Sequence, residues 1–223
     1  MLKRMRMADE KDPESWIELG TATVSDALDR LGVVGQCEGI LPLDPSMRFA
    51  GPAFTVRYGP CGFDKGTVGD YVDDIPKDAV VVLDNSGRLD VTVWGDILTE
   101  VAVRRSLAGT VIDGICRDSA VARELNYNIC SRSRWMRTGK DRVQVEGVQS
   151  VVTIGKVRVM PSDWVLADGD GVLFVPSKMI LQVFELARVI GIAEEKIRGL
   201  VRDGITLTEA RRQIGYHTLQ RRQ

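Results

Sequence analysis

The sequence is poor in histidine. Its 223 residues include one, His217, in a polar segment near the end of the chain. Ser–His–Asp and Cys–His catalysis need a histidine beside the nucleophile, and imidazole-based zinc sites need several. Both kinds of histidine-dependent catalysis, and zinc sites built on several imidazoles, are therefore excluded. The chemistry that remains uses carboxylates, arginines, lysines, backbone amides and a hard metal ion.

Paired cysteine motifs and long apolar runs are also missing. The four cysteines (Cys37, Cys61, Cys116 and Cys130) show no CxxC spacing, and no apolar segment follows the charged start MLKRMRMADEKD. Apolar runs are about five residues long, whereas a membrane-spanning helix needs about 20. We therefore expect a reduced, cytoplasmic protein without a membrane segment. Cys116, beside Arg117, is interpreted as a small buried residue at a strand end.

An excess of charge of either sign is lacking as well. The 30 basic residues nearly balance the 31 acidic ones, so charge favours neither nucleic acid nor membrane as a partner. The basic clusters at both ends are interpreted as solvated termini. Hydrophobic residues make up 44% of the chain, which at this length is enough for one sizeable core.

Hydrophobic periodicity predicts alternating strands and helices in the first half of the chain and short strands in the second. A helix is predicted over residues 13–31 with Gly32 as its C-cap, and the apolar run 78–84 is typical of a buried parallel strand. The remaining predictions are a strand over 48–59, a short helix before Pro76, a helix over 96–108 ended by Gly109, a strand over 110–115, a short helix after it, short strands between 127 and 176, and helices over 177–201 and 207–215 with Thr206 as N-cap. The pattern favours one α/β domain with two sheet layers, divided into a helical start (1–32), a core (33–176) and C-terminal helices (177–223).

The span WGDILTEVAVRRSLAGTVIDGICRDSA concentrates charged residues beside glycine and apolar runs. The predicted helix near Asp96 begins after Gly95, and its first amides have no acceptor within the helix, so they form an anion-binding end. Arg117 and Asp118 follow a buried strand directly, at the sheet edge where α/β proteins bind ligands. One helix and one strand separate the two points, so both are predicted to reach the same rim.

Two interpretations of these residues follow from the pattern alone. In the functional one, Arg117 holds an oxyanion in bidentate fashion, and Asp118 with Asp96 holds Mg²⁺ or Mn²⁺ through oxygen ligands and waters. In the structural one, Asp96 and Asp118 are helix N-caps and Arg117 belongs to an ion pair. The spacing leaves both open.

The arrangement Asp96-X20-Arg117-Asp118, preceded by WGDIL, resembles the signature of the RraA-like family. The similarity extends to VSDALDRLG, AGPAFTV, DAVVVLDNSGRLD, GTVIDGICRD and MPSDWVLADGDGVLFVP. That family contains 4-hydroxy-4-methyl-2-oxoglutarate aldolases and regulators of RNase E activity. The resemblance implies a three-layer β/β/α swivelling-type domain with a partly parallel central sheet, assembled into a homotrimeric ring or a hexamer.

The resemblance also implies roles for the residues of the span. The amides of Gly95, Asp96, Ile97 and Leu98 would hold the pyruvyl carboxylate of a 2-oxo acid. Arg117 would stabilise the enolate, Asp118 would anchor Mg²⁺ partly through water, and Glu194 of a neighbouring subunit would supply a second acidic group. Two positions depart from the family pattern: Val121 replaces a frequent acidic residue, and Pro161-Ser162-Asp163 replaces PGD.

Several other charged residues are explained by ordinary structural roles rather than by catalysis. Asp168 and Asp170 flank a tight turn, which accounts for both. Glu124 could replace the acid that is missing at Val121, but a glutamate at that position is also typical of a solvated helix surface. Lys156 does not have the apolar setting of a Schiff-base lysine. In CSRSRWMRTGKDR the basic residues are dense enough to suggest that one of them contacts the distal end of a dianionic substrate: Arg132, Arg134, Arg137 or Lys140.

The function expected is a Mg²⁺-dependent lyase that cleaves the C3–C4 bond of a 4-hydroxy-2-oxo diacid to release pyruvate. Oxaloacetate decarboxylation would use the same groups, because both reactions leave a pyruvate enolate. The alternative is a non-catalytic protein-binding regulator of the RNase E type. A methyltransferase is disfavoured, since no GxGxxG follows a predicted strand.

Overall fold

The computed structural model describes residues 9–63 and 66–215. His217 and the basic residues at positions 3, 4, 6, 221 and 222 lie outside the described residues. No helix in the described part of the chain is long and apolar enough to cross a membrane.

Five helices and eleven strands are formed by the described residues. The helices are α1 (Pro13–Leu31), α2 (Asp96–Arg104), α3 (Ser119–Glu124), α4 (Ile180–Arg202) and α5 (Leu207–Ile214), with 3-10 turns at Asp70–Asp74 and Ser177–Met179. The strands are β1 (Gln36–Cys37), β2 (Leu41–Pro42), β3 (Phe49–Pro60), β4 (Val80–Asp84), β5 (Gly109–Cys116), β6 (Ile129–Arg134), β7 (Val143–Val148), β8 (Val152–Ile154), β9 (Val157–Val159), β10 (Trp164–Asp168) and β11 (Gly171–Val175).

Strands β3, β4, β5 and β6 are parallel neighbours in that order. Every residue of β4 and of β5 is buried, as the continuous β-branched runs predict for strands covered on both faces. Because parallel strands share their direction, the carboxyl ends of β4, β5 and β6 lie at one edge of the sheet. The residues that follow these strands are therefore brought to that edge.

The sheet nearly closes on itself. Its path runs β1-β11-β10-β3-β4-β5-β6-β2, and β7 also pairs with β3. Both ends of the path belong to the short segment 36–42. Apolar side chains from both halves of the sheet, including Phe49, Val82 and Phe174, fill the interior together with the β8–β9 hairpin. The short strands predicted for the second half of the chain are present, and β7, β10 and β11 pair antiparallel with their neighbours.

Helices cover the outer faces. Helices α1 and α4 pack over β10 and β11, where Trp16 meets Trp164 and Phe184 with ring centroids 5.8 and 5.1 Å apart. Helices α2 and α3 lie on the other side, over a cluster that includes Trp94 and Tyr127. The predicted α/β fold with a partly parallel central sheet is thus confirmed.

Helix α1 has the predicted bounds but contains a break. Asp12 caps its start by accepting from the Ser15 amide at 3.2 Å, and Gly32 ends it in a left-handed conformation. Gly20 has φ 75° and ψ 159°, so the helical path stops and restarts there. Asp168 caps the restart, accepting from the Thr21 amide at 2.8 Å and the Thr21 hydroxyl at 2.7 Å. Asp168 thus joins β10 to α1.

One prediction of local structure is wrong, and one strand was not identified. Helix α2 ends at Arg104, and the turn is made by Ser106 in a left-handed conformation, whereas Gly109 is the first residue of β5. A Cβ at position 109 would lie 2.8 Å from the Phe49 ring, so packing rather than capping requires this glycine. In addition, the sequence pattern did not identify the strand at Val143–Val148, which is β7 and pairs with β3.

All four cysteines are free. Cys116 is buried at the end of β5, as predicted, and burial raises its pKa. Burial, with the Asp113 carboxylate nearby, raises the pKa of Cys37 to about 12. These thiols are therefore protonated and inert at neutral pH.

Candidate functional site

The two halves of the predicted site meet beside the end of β5. The loop after β4 passes along β5 through a parallel bridge between Thr92 and Ile115. The Arg117 amide then donates to the Trp94 carbonyl at 3.1 Å. This backbone bond places the start of α2 against the residues that follow β5, and so brings Gly95 beside Arg117.

Gly95 lies in close contact with both charged residues. A Cβ on Gly95 would lie 2.8 Å from Asp118 Oδ2, 3.1 Å from Arg117 Nε and 3.4 Å from Arg117 Cγ. Its backbone is extended (φ −150°), which any residue can adopt. The requirement for glycine here is therefore space at the site, not backbone conformation.

The first amides of α2 bind carboxylate oxygens. The Asp96 amide donates to Asp118 Oδ2 at 3.2 Å, and the Ile97 amide donates to Asp96 Oδ1 at 2.8 Å. Within the described residues, the amides of Gly95 and Leu98 have no acceptor. This end of the helix thus has the amide geometry and the positive dipole end that suit an anionic ligand.

Arg117 and Asp118 form an ion pair with Nε–Oδ2 at 3.2 Å, and their side chains are 37% and 35% exposed. Asp118 precedes α3 in a left-handed conformation (φ 54°), and its side chain makes no capping hydrogen bond to that helix. Left-handed non-glycine residues are uncommon and cluster at functional sites. The structural interpretation is met only in part: the ion pair forms, but Asp118 is directed towards α2 rather than capping α3.

A cavity of about 250 Å³ opens at this point. Its walls come from three parts of the chain: the segment 92–98 with Arg117, the segment Val68–Gly69 and the segment 138–140. Lys140 is therefore the basic residue of the CSRSRWMRTGKDR segment that lines the cavity. Arg134 and Arg137 are not part of its lining.

Arg132 binds a different part of the chain. It forms an ion pair with the buried Asp113, whose other oxygen accepts from the Gly155 amide at 2.6 Å. Asp113 and Arg132 face the interior side of the sheet, towards the β8–β9 hairpin. The structure therefore does not bring Arg132 to the predicted site.

A second hollow of about 440 Å³ adjoins the first along α2. It is lined by Asp96, Ile97, Glu100, Val101, Arg104 and Val121. Val121 thus occupies the wall where the resemblance predicts an acidic residue. Glu124 lines neither hollow, so it does not replace that acid within one chain.

Glu194 is not brought to the site within one chain. It lies on α4, which packs against α1, and it pairs with Arg198 at 3.6 Å. Neither hollow includes it among its lining residues. Only a second copy of the chain could deliver this carboxylate to the site, so the prediction for Glu194 stays a prediction.

The donor atoms of the site suit a hard cation. Asp118 Oδ1 makes no hydrogen bond with the described residues, and Asp96 offers a second carboxylate at the same rim. Among the described residues, no group of three or more His, Cys, Asp or Glu side chains converges. Mg²⁺ is commonly held by one or two carboxylates and several waters, whereas structural zinc sites need four protein ligands. The two carboxylates therefore fit Mg²⁺.

Two threonines that support the site were not predicted. The Thr92 hydroxyl contacts the Trp94 amide and carbonyl and the Ile115 carbonyl, and Thr99 contacts Gly95 and the Trp94 indole. Both are buried. The signal present in the sequence was the Gly95 to Thr99 spacing of four, which in a helix lets a threonine hydroxyl reach the earlier carbonyl.

Comparison with known proteins places the chain in a family. Residues 21–174 match the family model RraA-like, described as Aldolase/RraA. Protein DlpA of Legionella pneumophila is 38% identical over 204 residues, which are 90% of this chain and 33% of DlpA, so the chain spans about a third of that protein's length. A protein of Halalkalibacterium halodurans named "Putative 4-hydroxy-4-methyl-2-oxoglutarate aldolase" is 29% identical over 75% of this chain and 78% of its own.

A solved structure has the same fold. Streptomyces coelicolor RraAS2, described as an unusual member of the RNase ES inhibitor RraA protein family, superposes with a TM-score of 0.77 at 26% identity. The superposition covers 83% of this chain and 94% of that one. On its matched residues and its fold, this chain belongs to the RraA-like family.

Proposed function

We propose that the protein is a Mg²⁺-dependent lyase that cleaves the C3–C4 bond of a 4-hydroxy-2-oxo diacid and releases pyruvate. The same groups would decarboxylate oxaloacetate. The observation that carries the proposal is the contact of the α2 amide end with Asp118 and Arg117: a carboxylate oxygen lies 3.2 Å from the Asp96 amide and 3.2 Å from the Arg117 guanidinium. The aldolase name of a relative 29% identical supports the same reaction class.

In this proposal the amide end of α2 binds the C1 carboxylate of the substrate. The Gly95 and Leu98 amides are available for it, and the Asp96 amide, which donates to Asp118 Oδ2 in this structure, would be released to it by an Asp118 that holds the cation. Asp118 would hold Mg²⁺ together with waters, which leaves the Asp96 carboxylate available to act as a base. The chemistry that bound Mg²⁺ supplies is Lewis-acid polarisation of the 2-oxo group. Arg117, beside Gly95, faces the same end of the substrate.

The bond changes are those of a retro-aldol cleavage. The C4 hydroxyl loses its proton to a base, for which Asp96 is our candidate, and its oxygen becomes a carbonyl. The electrons of the C3–C4 bond pass to the C2 oxygen and give the enolate of pyruvate, which Arg117 stabilises by hydrogen bonds that strengthen as charge develops. Protonation at C3 then completes pyruvate. With oxaloacetate, the C3–C4 electrons move in the same way and carbon dioxide leaves.

The position of Lys140 favours a substrate with two carboxylates. Among the described residues, it is the lysine that lines the cavity together with the amide end of α2. We propose that it contacts the carboxylate at the distal end of the diacid, as the sequence suggested for one basic residue of its segment. A flexible ammonium there accommodates diacids of different length, so this contact selects for charge more than for shape.

A partner copy completes the site in this proposal. We propose a homotrimer, or a hexamer of two such rings, in which a neighbouring chain supplies an acidic side chain, with Glu194 as the candidate. Analytical ultracentrifugation at micromolar concentration tests the assembly. A monomer that turns over at full rate would contradict it.

Pyruvate release from oxaloacetate and from 4-hydroxy-4-methyl-2-oxoglutarate, coupled to lactate dehydrogenase with and without Mg²⁺, tests the function. Arg117→Ala should lower kcat by about 10²–10³-fold, since it removes one oxyanion donor. Arg117→Lys keeps the charge without the planar fork, so it should recover only part of the rate. The melting temperature should stay near that of the wild type, because a half-exposed ion pair between chain neighbours contributes little to stability.

Two results would redirect the proposal. Arg117→Ala with unchanged kcat and a lowered melting temperature would make Arg117 a structural residue. No Mg²⁺-dependent turnover of either substrate by the wild type would favour the second candidate, a non-catalytic regulator. That candidate is supported by the RNase ES inhibitor family of the Streptomyces structure, and pull-down with an RNase E-type ribonuclease would test it directly.

A further inference from the structure

Trp94 connects the two halves of the candidate site. Its backbone carbonyl accepts from the Arg117 amide at 3.1 Å. Its indole, 1% exposed, donates to the Thr99 hydroxyl at 3.0 Å. The indole ring also stacks on Tyr127, with centroids 6.2 Å apart and planes 9° apart. The stacked Tyr127 ring and the two hydrogen bonds therefore fix Trp94, and its indole N–H in turn fixes the position of the Thr99 hydroxyl.

Thr99 transmits this position to the amide end of α2. Its hydroxyl donates to the Gly95 carbonyl at 2.9 Å, and its own amide donates to the same carbonyl at 3.1 Å. The hydroxyl thus accepts from Trp94 while it donates to Gly95, which strengthens both bonds. The peptide that follows the Gly95 carbonyl carries the Asp96 amide, so fixing this carbonyl fixes the direction of that N–H.

The hydroxyl is not needed for the helix itself. The backbone bond from Thr99 to Gly95 closes the first turn of α2 without it, and threonine is a weaker helix former than alanine or leucine. Thr99 lines neither hollow and does not touch a ligand placed there. Its contribution is to orientation.

We propose that Thr99 is a positioning residue: its hydroxyl, held by the Trp94 indole, orients the Gly95 carbonyl and with it the Asp96 amide of the same peptide, one of the amides proposed to bind the substrate carboxylate. This inference rests on the proposed lyase function. The carboxylate is bound both before and during the reaction, so losing the orientation weakens binding throughout and raises KM more than it lowers kcat. Loss of Arg117, by contrast, acts mainly on kcat.

The test compares Thr99→Val with Thr110→Val. Each substitution removes a buried threonine hydroxyl at nearly constant volume and leaves one buried aromatic polar atom without its partner: the Trp94 indole N–H in the first and the Tyr127 hydroxyl, 2.9 Å from Thr110, in the second. Both hydroxyls are bonded to aromatic side chains of the same buried cluster, Trp94 and Tyr127, so the two losses of stability should be similar. Thr110 makes no contact with the site, which makes it the matched control.

Thr99→Val should raise KM for oxaloacetate about tenfold, because small misplacements of binding groups cost on the order of 10–100-fold. Oxalate, a stable dianion of similar charge, should bind it more weakly by the same factor in calorimetry. Thr99→Ser should restore both values to within about twofold, since it keeps the hydroxyl. Thr110→Val should keep wild-type KM and oxalate affinity while its melting temperature falls.

The outcomes separate the two proposals. A wild type that turns over neither substrate overturns the lyase function and this inference together. An active wild type with equal KM in Thr99→Val and Thr110→Val overturns the positioning role alone, as does failure of Thr99→Ser to restore oxalate affinity. If Thr99→Val does not fold, Thr99→Ala removes the same hydroxyl in a better helix former and takes its place in the comparison.

Discussion

Gly95→Ala perturbs the site with one methyl group. The glycine backbone is extended (φ −150°), so alanine fits its conformation, and any effect must come from the contacts of the new Cβ. That atom would lie 2.8 Å from Asp118 Oδ2 and 3.1 Å from Arg117 Nε. The substitution therefore tests whether these two side chains have to lie where the structure has them.

The size of the shift can be worked out from these distances. An ordinary contact begins near 3.4 Å, so the Asp118 carboxylate has to move by about 0.6 Å from the 2.8 Å position. A shift of that size breaks the 3.2 Å hydrogen bond from the Asp96 amide and also moves the carboxylate relative to Arg117 Nε, which lies 3.2 Å from it. The groups that would hold the cation and stabilise the enolate are therefore both displaced. Because a misplacement of about 1 Å can cost about 10²-fold in rate, we expect kcat/KM to fall by about 10–100-fold.

Stability should change little. Replacing a glycine by alanine at a permitted backbone stabilises by about 0.4–1 kcal/mol through the unfolded chain, and losing one exposed hydrogen bond costs about 1 kcal/mol. The melting temperature should therefore stay within about 4 °C of the wild type. The Gly95→Ala variant should therefore lose activity while it keeps its stability.

The coupled pyruvate assay and a thermal melt on the same preparation measure both quantities. Gly199→Ala is the matched control: Gly199 lies in α4, and its Cβ would meet nothing within 4 Å. That control should keep full activity and gain about 0.5–1 kcal/mol of stability. A Gly95→Ala enzyme with kcat/KM within about threefold of the wild type would refute the reasoning, because Asp118 and Arg117 would then tolerate displacement.

Three further outcomes are expected. Dialysis against EDTA should abolish turnover and added Mg²⁺ should restore it; full activity in the stripped protein would contradict the metal proposal. Asp168→Ala should lower stability by about 1 kcal/mol by uncapping the second half of α1, with kcat unchanged, which thermal melts and kinetics check. A thiol reagent at pH 8 should modify Cys61 quickly and the other three only after unfolding, since burial raises the pKa of Cys37, Cys116 and Cys130; two fast thiols in the native protein would contradict the burial.

Local features were predicted well where a short stretch of sequence determines them. Helix α1 spans Pro13–Leu31 and ends at Gly32 as predicted, because proline at a helix start and glycine at a helix end act within one turn. The buried runs of β4 and β5 were recognised because parallel strands covered on both faces are apolar throughout. The approach of Gly95 to Arg117 followed from the same logic, since a helix and a strand of known direction return the chain to one edge.

Features set by distant contacts were not predictable in this way. The break at Gly20 is stabilised by Asp168, a residue of β10, so no pattern within α1 reveals it. Arg132 pairs with Asp113 on the face of the sheet away from α2, although its segment suggested the site. Nor does the spacing show that Asp118 accepts from the Asp96 amide, because that contact depends on a left-handed backbone at Asp118.

The central position of β3 has a consequence for the synthesis of the chain. One edge of β3 pairs with β4, which follows soon after it, but the other pairs with β10 and β7, which begin at Trp164 and Val143. On a ribosome that adds roughly 5–20 residues per second, the second edge waits on the order of 10 s for its partners. A long apolar strand with an open edge is an aggregation hazard during that interval. The nascent chain thus depends on its second half to cover the open edge of the strand on which the fold is built.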